Sequence, residues 1–253
     1  MRIIDGVLDY ADDSDVWNGT IVLPEGITEI NDDALSYCKK LGYIDLPDTI
    51  TKIGNMAFYK CENLVRIKLP KNLTYIGRMA FACCSELLQI EIPDCVKEIE
   101  NCAFWECESI EKIVLPKGIE RIREGTFAEC VSLKEITIPK NVLMVEKSVF
   151  RKCYSLETVI FEGNVIISDN DPFYDCMSLK KMIRNGKTQL IKVVGHHSAN
   201  VLSYKKIKNI DLYYCYYFYS GKYFWIAEND KSYSGVSNNS WEAICNLIGL
   251  RSV

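Results

Sequence analysis

The segments "IDLPDTITKIGNMAFYKCENLVR" (44–66) and "IKLPKNLTYIGRMAFACCSELLQ" (67–89) align without a gap. The same spacing of 23 residues places Pro24, Pro47, Pro70, Pro93, Pro116 and Pro139 in one column. It also places Cys38, Cys61, Cys84, Cys107, Cys130, Cys153 and Cys176 in another. A repeat of this length with one apolar set held in place marks a solenoid, whose coils lack a core singly and acquire one by stacking.

Working outward from these segments, each coil reads the same way. Ile44, Ile67, Ile90, Ile113, Ile136 and Val159 alternate with Leu46, Leu69, Ile92, Leu115, Ile138 and Phe161, the period of two of a strand with one buried face. Proline, which has no N–H to give, then ends the strand. A second apolar pair follows, Ile50 with Ile53 and Leu73 with Ile76, where a second short strand or bend is expected. Phenylalanine and cysteine three apart share a face on a helical turn. "NMAFYKC" (55–61) is therefore predicted as a single helical turn with Phe58 and Cys61 directed inward.

The "LP..I..IG..AF..C..L..I" pattern, preceded by "DGVL" from Asp5, resembles the BspA-like bacterial leucine-rich repeats over about 20–181. The resemblance implies a β-rich repeat solenoid of about seven coils with short helical turns, and a surface that binds rather than catalyses. Some members of that family are secreted adhesins and others are intracellular. Departures are Leu35 in the phenylalanine column, Glu162 in the proline column and Pro172 in the alanine column.

Residues 1–19 read as an N-terminal cap, 20–181 as the solenoid, and 182–253 as a small α+β C-terminal cap or interaction module. In the first segment, Ile3, Ile4, Val7, Leu8 and Tyr10 around Asp5-Gly6 predict a strand pair, and Asn18-Gly19 a further turn. In the last, Asn185-Gly186 predicts a turn between strand halves, where a degenerate eighth coil could lie. Residues 209–230 read as a hairpin with Ser220-Gly221 at its tip, and 239–250 as a helix capped by Asn239 or Ser240. Tyr213, Tyr214, Tyr216, Tyr217, Tyr219 and Tyr223 give this tail a second candidate contact surface.

The net charge of -4 divides unevenly: residues 1–181 carry -9 and 182–253 carry +5. The basic tail is too dilute in Lys and Arg to read as a nucleic-acid or lipid site. Neither a secretory signal nor a membrane span is legible, so the chain reads as cytoplasmic, and as extracellular only if its start has been trimmed. Cysteines in one column point the same way instead of at each other, which is poor disulfide geometry. They read as free, buried, small apolar side chains suited to a reducing compartment. The acceptor sequences Asn18-Gly19-Thr20 and Asn72-Leu73-Thr74 carry weight only on an exported chain.

Phosphate-cradling glycine loops, a nucleophile elbow, HExxH, CxxC pairs and EF-hand loops are all absent from the sequence. His196 and His197 could meet Cys215 or Cys245 as a metal site or a thiol hydrolase, but no ligand spacing supports either. No cofactor, metal or small-molecule substrate is expected. What varies is the outward side of the first strand: Tyr43, Asp45, Arg66, Lys68, Gln89, Glu91, Lys112, Glu135, Thr137 and Thr158. A fixed core carrying a variable ladder is how a solenoid presents a recognition face. The expected activity is thus a non-enzymatic scaffold binding a protein partner; the alternative is a solenoid that positions a C-terminal effector or thiol-dependent enzyme.

Overall fold

Each coil turns because its prolines and left-handed residues forbid the strand to continue. The computed structural model describes residues 1–167 and 172–184 and, beyond them, the backbones of the strands named below. The chain divides into two compact units, Met1–Thr188 and Gln189–Val253.

The first unit opens with an antiparallel pair, β1 (Arg2–Ile4) and β2 (Val7–Tyr10), about a turn with Asp5 at φ 48° and Gly6 at φ 77°. A second tight turn has Asn18 at φ 48° and Gly19 at φ 77°, closed by reciprocal bonds of 2.9 and 3.0 Å between Trp17 and Thr20. Both were legible as turns, since only Gly, Asn and Asp adopt this backbone cheaply.

Thereafter each coil contributes two strands. They are β3 (Thr20–Ile21) with β4 (Glu29–Ile30), β5 (Tyr43–Asp45) with β6 (Lys52–Ile53), and β7 (Arg66–Lys68) with β8 (Tyr75–Ile76). Next come β9 (Gln89–Glu91) with β10 (Glu98–Ile99), and β11 (Lys112–Val114) with β12 (Arg121–Ile122). Then follow β13 (Glu135–Ile138) with β14 (Met144–Val145), β15 (Thr158–Phe161) with β16 (Ile166–Ile167), β17 (Lys181–Arg184) and β18 (Lys187–Leu190).

The eight first strands, with β18 at one end, form one nine-stranded sheet in the order β18-β17-β15-β13-β11-β9-β7-β5-β3. Second strands form a six-stranded sheet, β1-β2-β4-β6-β8-β10, and a three-stranded one, β12-β14-β16. Because β17 pairs in parallel with β15 from Thr158↔Lys181 to Phe161↔Arg184, winding continues past Lys181 into the eighth coil the sequence allowed.

Proline shapes the bend between the two strands as well as ending the first. Its carbonyl accepts an N–H three residues on, from Ile50 to Pro47 at 3.0 Å and from Leu73 to Pro70 at 3.1 Å. The expected helical turn after the second strand is not one. Met56 (φ 54°) and Lys60 (φ 58°) are left-handed, as are Met79 and Cys83 one coil on. A non-glycine residue pays about 1–2 kcal/mol for that conformation.

The compensation is between coils. Alternate N–H groups of Met56, Phe58 and Lys60 reach the carbonyls of Arg78, Ala80 and Ala82 at 2.8 to 2.9 Å. A helical turn would have closed those donors on itself. The inward direction of the side chains survives, with Phe58 and Cys61 both fully buried. The same geometry explains Pro172. The alanine N–H at this place makes only a local bond, as Ala103 does to Glu100 at 3.2 Å, while the carbonyl serves the neighbouring coil. Pro172 keeps that carbonyl, accepting from Phe150 at 2.7 Å.

The core is two continuous ribs. Phe58, Phe81, Phe104, Phe127, Phe150 and Phe173 stack ring on ring, with centroids 5.1 to 5.8 Å apart and planes within 6° to 14°. Beside them the column thiols from Cys84 to Cys176 donate to the phenylalanine carbonyl of the preceding coil, and Cys61 donates to the carbonyl of Leu35, which holds the phenylalanine place there. Cys84 donates to Phe58 at 3.2 Å, Cys107 to Phe81 at 3.1 Å and Cys130 to Phe104 at 3.3 Å. All ten cysteines whose side chains are described are unbridged.

The second unit holds the antiparallel strands β19 (Asn200–Ile207), β20 (Ile210–Tyr217), β21 (Lys222–Ala227) and β22 (Ser234–Ser237). The pairing of β20 with β21 from Leu212↔Ala227 to Tyr217↔Lys222 is the hairpin read in 209–230. Its tip, the Asn185-Gly186 turn and the helix expected at 239–250 lie outside the described residues.

Two outcomes follow from the ribs. Replacing Phe104 by alanine in mid-stack costs about 3–5 kcal/mol and loosens the coils on either side, read as a lower urea midpoint with faster amide exchange in both neighbours. An unchanged midpoint contradicts the stacking.

The second outcome concerns pH. Burial pushes the thiols of Cys84, Cys107 and Cys130 far above the ordinary value near 9. Below that value both folded and unfolded states keep the protons and stability is level. Above it the unfolded chain ionises first, so stability falls as pH rises, approaching about 1.4 kcal/mol per pH unit for each such thiol. Urea midpoints measured from about pH 8 to about pH 10 should be level and then drop steeply above about pH 9. A level profile throughout contradicts the thiol burial.

Candidate functional site: the outward face of the large sheet

Strand alternation turns every other residue of the large sheet outward, and parallel register then lines those residues up coil over coil. One column runs Tyr43↔Arg66↔Gln89↔Lys112↔Glu135↔Thr158. The adjacent column holds Asp45↔Lys68, Glu91↔Val114 and Thr137↔Ile160. All ten expected contact residues therefore share this face. Tyr43, Asp45, Arg66, Lys68, Gln89, Glu91, Lys112 and Glu135 are exposed, and Thr137 and Thr158 half-buried.

The face is not uniform. β5 and β7 pair over three residues, and so do β9 and β11. β7 and β9, by contrast, pair only at Arg66↔Gln89, and β11 and β13 only at Lys112↔Glu135. Beyond those single rungs lie two hollows. One of about 650 Å³ is lined by Tyr43, Arg66, Lys68, Lys71, Gln89 and Glu91 over a floor of Ile67, Leu69, Ile92 and Pro93. Another of about 510 Å³ is lined by Lys112, Val114, Lys117, Glu135 and Thr137 over Ile113 and Leu115. The floor of the first is opened slightly, Ile67 and Leu69 being 8% and 7% exposed where Ile44 and Leu46 are 0% and 1%.

Charge follows the same coil-to-coil pattern. Lys68 meets Asp45 at 2.9 Å, Lys71 meets Asp48 at 3.2 Å, Lys117 meets Asp94 at 2.9 Å and Lys134 meets Glu111 at 2.9 Å. The hydrogen bond that Lys68 donates to Asp45 holds its ammonium above the ordinary range. The backbone N–H of Lys71 holds the Asp48 carboxyl below its own. Such exposed pairs add little to stability, yet they decide which charges stay available. Sequence reading passed over them, although Asp48, Lys71, Asp94 and Lys117 alternate in sign at one repeat position.

The remaining candidates gain no geometry. His196, His197 and Cys245 lie outside the described residues, and for Cys215 and the tyrosines of β20 and β21 only the backbone is described. Tyr219 also lies outside them. Among the described residues no group of three His, Cys, Asp or Glu could hold a metal ion. No described helix is long and apolar enough to cross a membrane.

Several solved structures resemble the chain, three of them as follows. A leucine-rich repeat protein from Bacteroides ovatus is 25% identical with a TM-score of 0.41, the match covering 65% of this chain and 62% of that one. A leucine rich cell surface protein from Faecalibacterium prausnitzii is 24% identical with a TM-score of 0.43, covering 66% and 59%. The leucine-rich repeat protein of T. pallidum is 26% identical with a TM-score of 0.43, covering 64% and 78%. The chain thus spans less than two thirds of the first two. No curated protein matches it. The model of the BspA type leucine rich repeat region matches residues 19–124 and 97–222, in six copies. With the coil period, the parallel sheets and that match in agreement, the chain belongs to the BspA-type leucine-rich repeat family.

Proposed function

We propose that this solenoid is a non-enzymatic scaffold that binds a protein partner through the outward face of its nine-stranded sheet. The observation that carries the reading is a contrast within β5, β7, β9 and β11. Their inward residue is always isoleucine, while the flanking outward ones change from Tyr43 and Asp45 to Arg66 and Lys68, Gln89 and Glu91, Lys112 and Val114. Packing demands the first and leaves the second free, so the second can be fitted to a partner. The contact residues in this reading are ten of the twelve in the two columns, all but Val114 and Ile160.

A protein is favoured over a nucleic acid because residues 1–181 carry -9, which repels the closely spaced charges of a phosphate backbone far more than a peptide bearing two or three of them. The buried thiols of Cys61, Cys84, Cys107, Cys130 and Cys153 support a binding role as well, since burial raises them away from the thiolate that a nucleophile needs. Unbridged cysteines suit a reducing compartment, and we place the chain in the cytoplasm on that ground.

The test is affinity capture from the native lysate with the wild type and with Arg66, Lys68, Gln89 and Glu91 all replaced by alanine. These side chains are exposed, so the variant should keep its stability within about 0.5 kcal/mol per site. A specific partner should fall about tenfold or more in yield. Equal recovery of the same partner by both proteins would place recognition elsewhere.

A further inference from the structure

The protein-binding reading of this face leaves open what kind of segment it takes, and the free charges narrow that choice. Lys68, Lys71, Lys117 and Lys134 are each neutralised by an acid one coil away. Arg66 and Lys112 form no ion pair among the described residues, and both stand in the first outward column; Glu91, in the adjacent column, and Glu135, one rung beyond Lys112, are unpaired there as well. Arg66 borders the larger hollow and Lys112 the smaller one. Gln89 lies between them in register.

Neighbouring strands are about 4.8 Å apart, so two rungs set these cations about 9.6 Å apart along the stack. A polyproline II segment has three residues per turn and a rise of about 3.1 Å, so its side chains at i and i+3 recur on one face every 9.3 Å or so. An extended β-strand instead presents same-side residues about 6.8 Å apart and falls out of step. The other members of the column fit the same ligand. Tyr43, 43% exposed at the end next to Arg66, offers a ring to pack against proline. Gln89 offers both a donor and acceptors to the main chain, whose polar groups a polyproline II segment leaves unpaired. Glu135, one coil beyond Lys112, opposes an acid at the next rung and so helps set the register.

We propose that the face binds a proline-rich, acidic segment of a partner protein in the polyproline II conformation, lying along the coil stack. Carboxylates at i and i+3 meet Arg66 and Lys112. The proposal rests on the protein-binding reading above and adds to it the chemistry of the partner.

The probe is a fluorescein-labelled peptide, Pro-Pro-Glu-Pro-Pro-Glu-Pro-Pro, titrated with the whole protein by fluorescence anisotropy. It should bind saturably and lose about tenfold or more in affinity when Arg66→Ala and Lys112→Ala are combined, about 1.4 kcal/mol or more. An isomer with the glutamates two residues apart should bind about tenfold more weakly, and so should unstructured polyglutamate. The charge-reversed pair Arg66→Glu with Lys112→Glu should prefer the peptide in which lysine replaces glutamate; unchanged circular dichroism confirms that each variant folds.

Absence of binding, equal binding of both isomers and polyglutamate, or binding indifferent to Arg66 and Lys112 overturns the proposal. If the peptide fails while the alanine variant still loses its captured partner, the partner has other chemistry and only this inference falls. If capture also survives that variant, the protein-binding reading falls with it.

Discussion

The structure depends on a contact repeated once per coil, in which a phenylalanine ring lies flat on its counterpart while the thiol beside it bonds back to that counterpart's carbonyl. Phe81 and Cys107 show both halves: the ring is 5.3 Å from Phe104, and the Phe81 carbonyl receives the Cys107 thiol at 3.1 Å. That same kind of carbonyl also accepts a local N–H, as Phe58 does from Cys61 at 3.1 Å. Both of its lone pairs are thereby used, which a buried carbonyl requires. A cysteine here is therefore more than a small apolar filler. Valine would fill the space without the donor, and serine would supply a donor at a larger desolvation cost.

From that contact the outer surface follows. Coils held face to face must share register, and shared register turns isolated exposed residues into columns. Some successive residues of opposite sign pair across coils, as Asp45 does with Lys68 and Asp94 with Lys117, whereas Lys112 and Glu135, in register where the strands part, form no ion pair among the described residues. On this face these two pairs tie the coil of β5 to that of β7 and the coil of β9 to that of β11. The strands part at the junctions between such couples, after Arg66↔Gln89 and after Lys112↔Glu135. Among the described residues, neutralised couples separated by open hollows leave Arg66 and Lys112 as the unpaired cations of the two strand columns, beside the unpaired carboxylates of Glu91 and Glu135.

Much of this was legible in the sequence because stacking constrains residue type strictly. The isoleucine, proline, phenylalanine and cysteine columns follow from the period alone, and Asn18-Gly19 from its left-handed backbone. The turn at 55–61 was misread as helical because a spacing of three is shared by a helical turn and by a bend with left-handed residues at Met56 and Lys60. What separates them is the hydrogen bonding of Phe58 to Ala80, a contact between residues one coil apart. The parting of β7 from β9 had no signal either. Leu46, Leu69 and Ile92 are equally apolar, and spacing between strands is a property of the backbone that side-chain type does not report.

The most direct measurement is a nuclear Overhauser spectrum of protein carrying protonated phenylalanine rings in an otherwise deuterated background. Rings 5.1 to 5.8 Å apart should give a linear chain of cross-peaks from Phe58 through Phe81, Phe104 and Phe127 to Phe150, each ring touching only its neighbours. Missing cross-peaks between Phe81 and Phe104, or cross-peaks that skip a coil, would show that the windings do not lie one over the next.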